Sequence, residues 1–190
     1  MTPRPAATVM LLRGGGSELE LLMVRRTPAA RFMADHWVFP GGAVDPDDGD
    51  GDAGLRAAAV RELREEAGVD LGAGPELVAF ARWITPSALP IRFDTWFYLA
   101  AAPVGSSPEV DGAEIVEFRW VAPAAGVAAS EAGEMTLAFP TRRQLEQLAG
   151  FASADALLGH AREHAHAISP IEPRIVGSGE HARIVLPGDL

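Results

Sequence analysis

The stretch that most constrains this fold is residues 52–68, DAGLRAAAVRELREEAG, which follows an acidic loop and a Phe39-Pro40-Gly41-Gly42 turn. It is predicted to be a helix, with Asp52 as its N-cap and Gly68 as its stop. At about 100° per residue, Glu62, Glu65 and Glu66 fall on one face, within about 100° of arc. Ala59, Val60, Leu63 and Ala67 make the adjoining apolar stripe, and Arg61 and Arg64 take the remaining side. The stripe has to pack on a sheet, so the carboxylates border a buried surface. Like charges at this spacing repel by about 0.2–0.5 kcal/mol per pair in an isolated helix. Two explanations fit: a solvated face on which Arg61 pairs with Glu65, or a site where a divalent cation removes the repulsion.

The sheet is predicted from the runs around the helix. ATVMLLRGGGSELELLMVRR reads as two strands around a glycine turn, and HWVFPGG as a short strand. ELVAFARWI, FDTWFYLAAA and EIVEFRWV are three further strands, mixed or antiparallel. After Pro123 the texture turns helical in PTRRQLEQLAGF and SADALLGHAREHAHA, with a short strand candidate in RIVLP. No linker or repeat divides the chain, so residues 1–190 are expected to form one domain, with a core over about 6–125 and a helical part over about 126–190. The class is α/β or α+β, with helices covering a mixed sheet.

A net charge of −10 argues against general affinity for nucleic acid or an anionic membrane surface, both of which recruit clustered cations. No apolar run approaches the roughly 20 residues of a membrane helix. Zero cysteines exclude disulfides and thiolate chemistry, which fits a reducing cytoplasm. The 16 basic residues are all arginine, so phosphate contacts must come from forked guanidinium groups or from backbone. Hard carboxylate ligands suit Mg²⁺ or Mn²⁺, and Mg²⁺ is commonly completed by substrate phosphates.

The order Gly-Gly, acidic loop, Arg61-Glu62-Leu63-Arg64-Glu65-Glu66-Ala67-Gly68-Val69 resembles the Nudix box: Gly, five residues, Glu, seven residues, Arg-Glu-apolar-x-Glu-Glu-x-Gly-apolar. The second half matches at every specified position. The resemblance implies an α/β/α sandwich with a mixed β-sheet, here with extra C-terminal helices, and metal-dependent cleavage of a nucleoside diphosphate derivative. It implies Glu65 and Glu66 as metal ligands, Glu62 as ligand or base, Arg61 in the catalytic group, and the Gly41 carbonyl as a further ligand. The first half departs: 18 residues separate Gly42 from Arg61 where the pattern has 13. Counted back from Arg61, the pattern's Glu falls on Ala53, so its task of orienting the helix passes to Asp52 or is lost. The loop aspartates 45, 47, 48 and 50 are expected to be mostly solvated.

Upstream, LMVRRTPAARFMADHWVFPGG resembles the signature of Nudix coenzyme A diphosphatases through Leu22, Arg26, Arg31 and Phe39-Pro40-Gly41-Gly42. Val24, Thr27 and Asp35 depart from it, Asp35 standing where the signature has Gly. Arg26 and Arg31 are therefore expected to grip phosphate, with Arg92 a weaker candidate. Glu114 or Asp111 is a candidate for an outlying carboxylate acting as ligand or base. Trp37, Trp83 and Trp96 are candidates for stacking on a base, although strand aromatics are more often core. His160 and His164 have a zinc-like spacing without a third ligand and read as a helix end. The expected enzyme is thus a cytoplasmic Mg²⁺- or Mn²⁺-dependent diphosphatase acting on coenzyme A or acyl-CoA. ADP-ribose, NADH or another nucleoside diphosphate derivative is the alternative substrate, and a non-catalytic nucleotide sensor the alternative class. A homodimer is left open.

Overall fold

The computed structural model describes residues 2–179 and 182–188. Ten strands and four helices run in the order β1 (Arg4–Arg13), β2 (Glu20–Arg26), β3 (Trp37–Val38), β4 (Gly41–Ala43), α1 (Gly51–Ala67), β5 (Val78–Ile84), β6 (Phe93–Ala101), β7 (Ile115–Val121), α2 (Pro123–Glu131), α3 (Phe139–Leu148), α4 (Ala154–His164), β8 (Pro170–Ile171), β9 (Arg174–Val176) and β10 (Arg183–Val185). Among the described residues no helix is long and apolar enough to cross a membrane.

β1 lies in the middle of an eight-stranded mixed sheet ordered β3-β2-β1-β6-β5-β8, with β4 also on β1 and β7 also on β2. Residues 6–12 of β1 are buried on both faces, so side chains sort by period two. Ala7, Val9 and Leu11 meet Ala58, Ala59, Leu63 and Ala67 of α1. Met10 and Leu12 face the opposite way, into a cluster with Leu145 and Leu148 of α3 and Leu157, Leu158 and Ala161 of α4. Each such Leu or Met, fully buried, stabilises by about 1.5–3 kcal/mol relative to exposure. Helices thus cover both faces, which is the expected α/β/α sandwich.

One departure from a plain hairpin positions the site. β1 and β2 pair only near their turn, Leu12 opposite Leu21 and Arg13 opposite Glu20. β2 then runs on beside β7, while β4 takes the place beside β1, with Gly41 opposite Thr8 and Gly42 opposite Ala7. The Gly-Gly pair therefore lies in the sheet itself, under the C-terminal half of α1.

The helix starts earlier than the sequence suggests. Asp50 occupies the N-cap position without a side-chain cap bond, and Asp52, expected there, sits in the first turn and pairs with Arg56 at 2.7 Å. Gly51 at φ 64° makes the entry turn. Gly68, at φ 65°, stops the helix as expected. α2 had no periodic signature, being a short run of small residues after Pro123. Ser153 caps α4 by accepting from the Ala156 N–H at 3.2 Å.

Gln144 of α3 is 1% exposed, and neither its amide nitrogen nor its oxygen has a hydrogen-bond partner among the described residues. A buried unpaired amide costs about 1–3 kcal/mol. Gln144→Met keeps the shape and removes the polar atoms, so it should raise Tm by about 2–4 °C or more. A lower Tm in a thermal melt would show that the amide is satisfied in solution.

Candidate active site

The carboxylates of α1 stay beside the sheet because two glycines let the strand approach. A Cβ at Gly42 would run into the Glu62 carboxylate, and one at Gly41 into the Thr8 hydroxyl and the Ala7 carbonyl. The Gly41 N–H donates to Glu66 at 2.9 Å. Gly41, Gly42, Glu62 and Glu66 line a cleft of about 580 Å³, which Glu114, from the loop before β7, and Arg26, at the end of β2, also line. Arg26 donates to Glu114 at 2.8 Å and to the Phe32 carbonyl at 3.2 Å, and its other terminal nitrogen is 3.8 Å from Glu66.

Burial pushes the Glu66 carboxyl up to about 8, with the Gly41 N–H and Arg26 opposing and the charges of Glu62 and Glu114 adding. Burial also raises Glu62, against the pull of Arg61 and with the help of Glu65 and Glu114. Glu65 is 54% exposed and is held by Arg61 at 3.1 Å. Among the described residues no three His, Asp or Glu side chains form a ready-made metal-binding group; ion pairs to Arg61 and Arg26 keep the carboxylates separately occupied. The donor chemistry nonetheless fits a hard divalent cation. Mutually repelling carboxylates face one cleft, and the space a side chain at position 42 would fill is taken by a carboxylate. Glu62, Glu66 and Glu114 are the residues placed to hold it, with Glu65 on the adjoining exposed turn. Gly41 engages Glu66 through its N–H.

Arg61 is not a wall of the cleft. Its guanidinium binds Asp48 three times, at 2.8, 3.0 and 3.3 Å, and donates also to Glu62 at 2.9 Å, Glu65 at 3.1 Å and the Ala43 carbonyl at 3.1 Å. It is a positioning residue that fixes two carboxylates, a correction to its expected place in the catalytic group. Asp48 is likewise no solvated loop residue: its side chain is 6% exposed, and the hydrogen bonds from Arg61 hold its carboxyl below the ordinary value. The orienting carboxylate is therefore neither lost nor supplied by Asp52. Counted forward from Gly42, the pattern's Gly, five residues, Glu lands on Asp48, so the insertion lies between Asp48 and Arg61. Counting from both ends of the motif finds it.

The other candidates scatter. Arg31 is exposed and makes no hydrogen bond or ion pair among the described residues, but the next two residues, Phe32 and Met33, line the cleft. Arg92, expected at phosphate, donates to the Thr85 carbonyl at 3.0 Å and to Glu172 at 2.6 Å, and does not line the cleft. Asp111 is spent on its own loop, accepting from the N–H groups of Ala113, Glu114 and Ile115. Burial raises its carboxyl, but these donors outweigh that and hold it low. Trp37 is core, Trp96 stacks on Tyr98 away from the cleft, and Trp83 lines the cleft with its ring N–H buried and without a partner among the described residues. His160 and His164 stack on each other at 4.1 Å at an exposed helix end. Asp35, at the signature's Gly position, has φ 62° and pairs with Arg25 at 2.8 Å. That left-handed conformation favours Gly and is tolerated by Asp.

Asp48→Ala leaves part of the partly buried Arg61 guanidinium unpaired and should cost about 1 kcal/mol or more of stability. The depressed carboxyl contributes fully above the ordinary value of 3.8 and loses its effect as pH falls through its lower folded value. The Tm gap between the variant and wild type should accordingly be full near neutrality and close in strong acid; a gap independent of pH would exclude the ion pair as its cause. Glu66 has the opposite sign. Its raised value stabilises the fold below the ordinary 4.5, and that contribution is lost as pH rises through about 8. In chelator, Glu66→Gln should therefore exceed wild type by about 2 kcal/mol or more at alkaline pH and converge with it in acid. Equal stability at alkaline pH would mean that Glu66 ionises freely.

The family model of the NUDIX domain matches residues 2–139. Putative nudix hydrolase 7 of Caenorhabditis elegans is 30% identical over 181 residues, covering 76% of this chain and 60% of that protein. The m7GpppN-mRNA hydrolase NUDT17 of Bos taurus is 33% identical over 135 residues, covering 62% of this chain and 42% of that protein. The chain thus spans about 60% or less of the length of these curated relatives. A NUDIX hydrolase crystal structure from Alicyclobacillus acidocaldarius superposes with a TM-score of 0.71 at 25% identity, covering 89% of this chain and 98% of that one. A box helix whose carboxylates meet two sheet glycines, on a fold matched over most of its length, places this chain in the NUDIX domain family.

Proposed function

We propose that the chain is a divalent-metal-dependent diphosphatase that hydrolyses coenzyme A or an acyl-CoA to 3′,5′-ADP and a phosphopantetheine. The observation that carries the reading is the composition of the cleft. Glu62, Glu66, Glu114 and Arg26 line it together with apolar and aromatic groups, among them Phe32, Leu89, Phe93, Leu137 and Phe139. A diphosphate suits the charged groups, and an adenine or a pantetheine arm suits the apolar ones.

When bound, the cation neutralises the diphosphate and lowers the pKa of the attacking water. The chain's own residues do the rest. Asp48 fixes Arg61, and Arg61 fixes Glu62 and Glu65; the Gly41 N–H fixes Glu66. Arg26 and Arg31 take phosphate oxygens. Water adds to one phosphorus, the bridging P–O bond breaks, and the water's proton passes to a carboxylate, for which Glu62 is the best-placed group beside the cleft.

Support for coenzyme A comes from the segment carrying Arg26 and Arg31. Its loop enters the cleft through Phe32, Met33 and His36, and Asp35 keeps the backbone shape of the glycine it replaces. The net charge of −10 weighs against a long polyanion such as RNA. Loss of the loop carboxylate would favour a non-catalytic module, and Asp48, bonded to Arg61, supplies that carboxylate.

Purified chain with Mg²⁺ should release 3′,5′-ADP from coenzyme A faster than it cleaves ADP-ribose, NADH or diadenosine tetraphosphate, and Glu65→Gln should lower kcat by about 100-fold or more without moving Tm. Preferential turnover of another compound would reassign the substrate; tight binding of one compound with turnover of none would leave a sensor.

A further inference from the structure

Arg26 stands where the two charges of the reaction must meet. Arg25 and Arg26 are successive on β2, where side chains alternate between the two faces of the sheet, and the ladder with β7 shifts register between them. Arg25 binds Glu117 and Asp35 on the exposed side. Arg26 is 18% exposed and turns to the cleft. Its grip there is graded. Nε is bonded to the Phe32 carbonyl at 3.2 Å, one terminal nitrogen is bonded to Glu114 at 2.8 Å, and the other lies 3.8 Å from Glu66, too long for a hydrogen bond. Arg61 differs: Asp48 and the Ala43 carbonyl hold it outside the cleft lining.

We propose that Arg26 is an exchangeable counter-cation of the carboxylate cluster: a divalent cation at Glu66 and Glu114 takes those oxygens from its guanidinium, which stays anchored at the Phe32 carbonyl and turns to a phosphate of the ligand. The proposal rests on the reading that these carboxylates take a metal and that the ligand is a diphosphate. The metal then binds before the diphosphate. Arg26 weakens the binding of the cation alone and strengthens that of the diphosphate once the cation is present. Because coupling between two sites is reciprocal, each ligand also raises the affinity of the other.

The test uses the full chain, Mn²⁺ followed by electron paramagnetic resonance, and adenosine diphosphate as the phosphate probe. Arg26→Gln should bind Mn²⁺ roughly five- to tenfold more tightly than wild type, and adenosine diphosphate in saturating Mn²⁺ more weakly by a similar factor. Arg26→Lys keeps the charge without the fork and should fall between the two; it also carries the test should Arg26→Gln fail to fold, as judged by its thermal melt. Unchanged or weaker Mn²⁺ binding in a folded variant would overturn the exchange, since it would mean that Arg26 only holds the carboxylates in place. Tighter Mn²⁺ with unchanged adenosine diphosphate would overturn the transfer to phosphate. Failure of wild type to bind Mn²⁺ would overturn the metal reading itself, a separate result.

Discussion

Carboxylates packed against a sheet have to be neutralised, and much of this site follows from that requirement. Burial raises the proton affinity of Glu62 and Glu66 directly, and the charge of Glu114 adds to both, with Glu65 adding to Glu62 and Glu62 to Glu66. Two arginines answer, from opposite sides. Arg61 comes from the helix itself and is held by Asp48; Arg26 comes from the end of β2 and is held by the Phe32 carbonyl. A cluster built this way is electrostatically expensive without cations and receptive to them. That is the property a site for a metal and a diphosphate needs, and it is why loss of one anchoring group should be felt at several carboxylates together.

The fold was legible in the sequence where burial imposes a period. β1 reads as a strand because residues 6–12 are apolar save Thr8, as befits a strand buried on both faces. The exchange of β2 for β4 beside β1 was not legible, because pairing partners depend on which strand reaches the vacant edge and not on the composition of β1. α2 escaped notice because nine residues rich in Ala carry no amphipathic stripe.

At the site, sequence spacing located Glu62, Glu65 and Glu66 because they share one helix, where geometry is fixed by the period. It also brought Arg26 and Glu114 forward, but not their contact across 88 residues of chain. It misjudged Arg61, Arg92 and Asp48 for one reason: whether an arginine or aspartate faces a ligand or a neighbour is decided by partners remote in sequence. Asp48 is the clearest instance. Measured from Arg61, the carboxylate seemed to be missing; measured from Gly42, it is present as an aspartate one methylene shorter than the pattern's glutamate.

The position of Asp48 also explains how the box tolerates its insertion. Twelve residues separate Asp48 from Arg61 where the pattern has seven, and ten of them, 51–60, are α1. Residues added as helix advance the chain by about 1.5 Å each along a fixed axis, so they lengthen the N-terminal end of α1 and leave its other end in place. That end packs on the sheet by itself: Arg56 lies over the Tyr98 ring at 5.1 Å and donates to the Leu77 carbonyl at 2.7 Å. The turn at Pro46–Asp48 then brings the chain back so that Asp48 meets Arg61 from outside the helix. Five extra residues placed between Glu62 and Glu65 would have rotated the glutamates off their common face. Placed before it, they alter only the length of the arm that carries them.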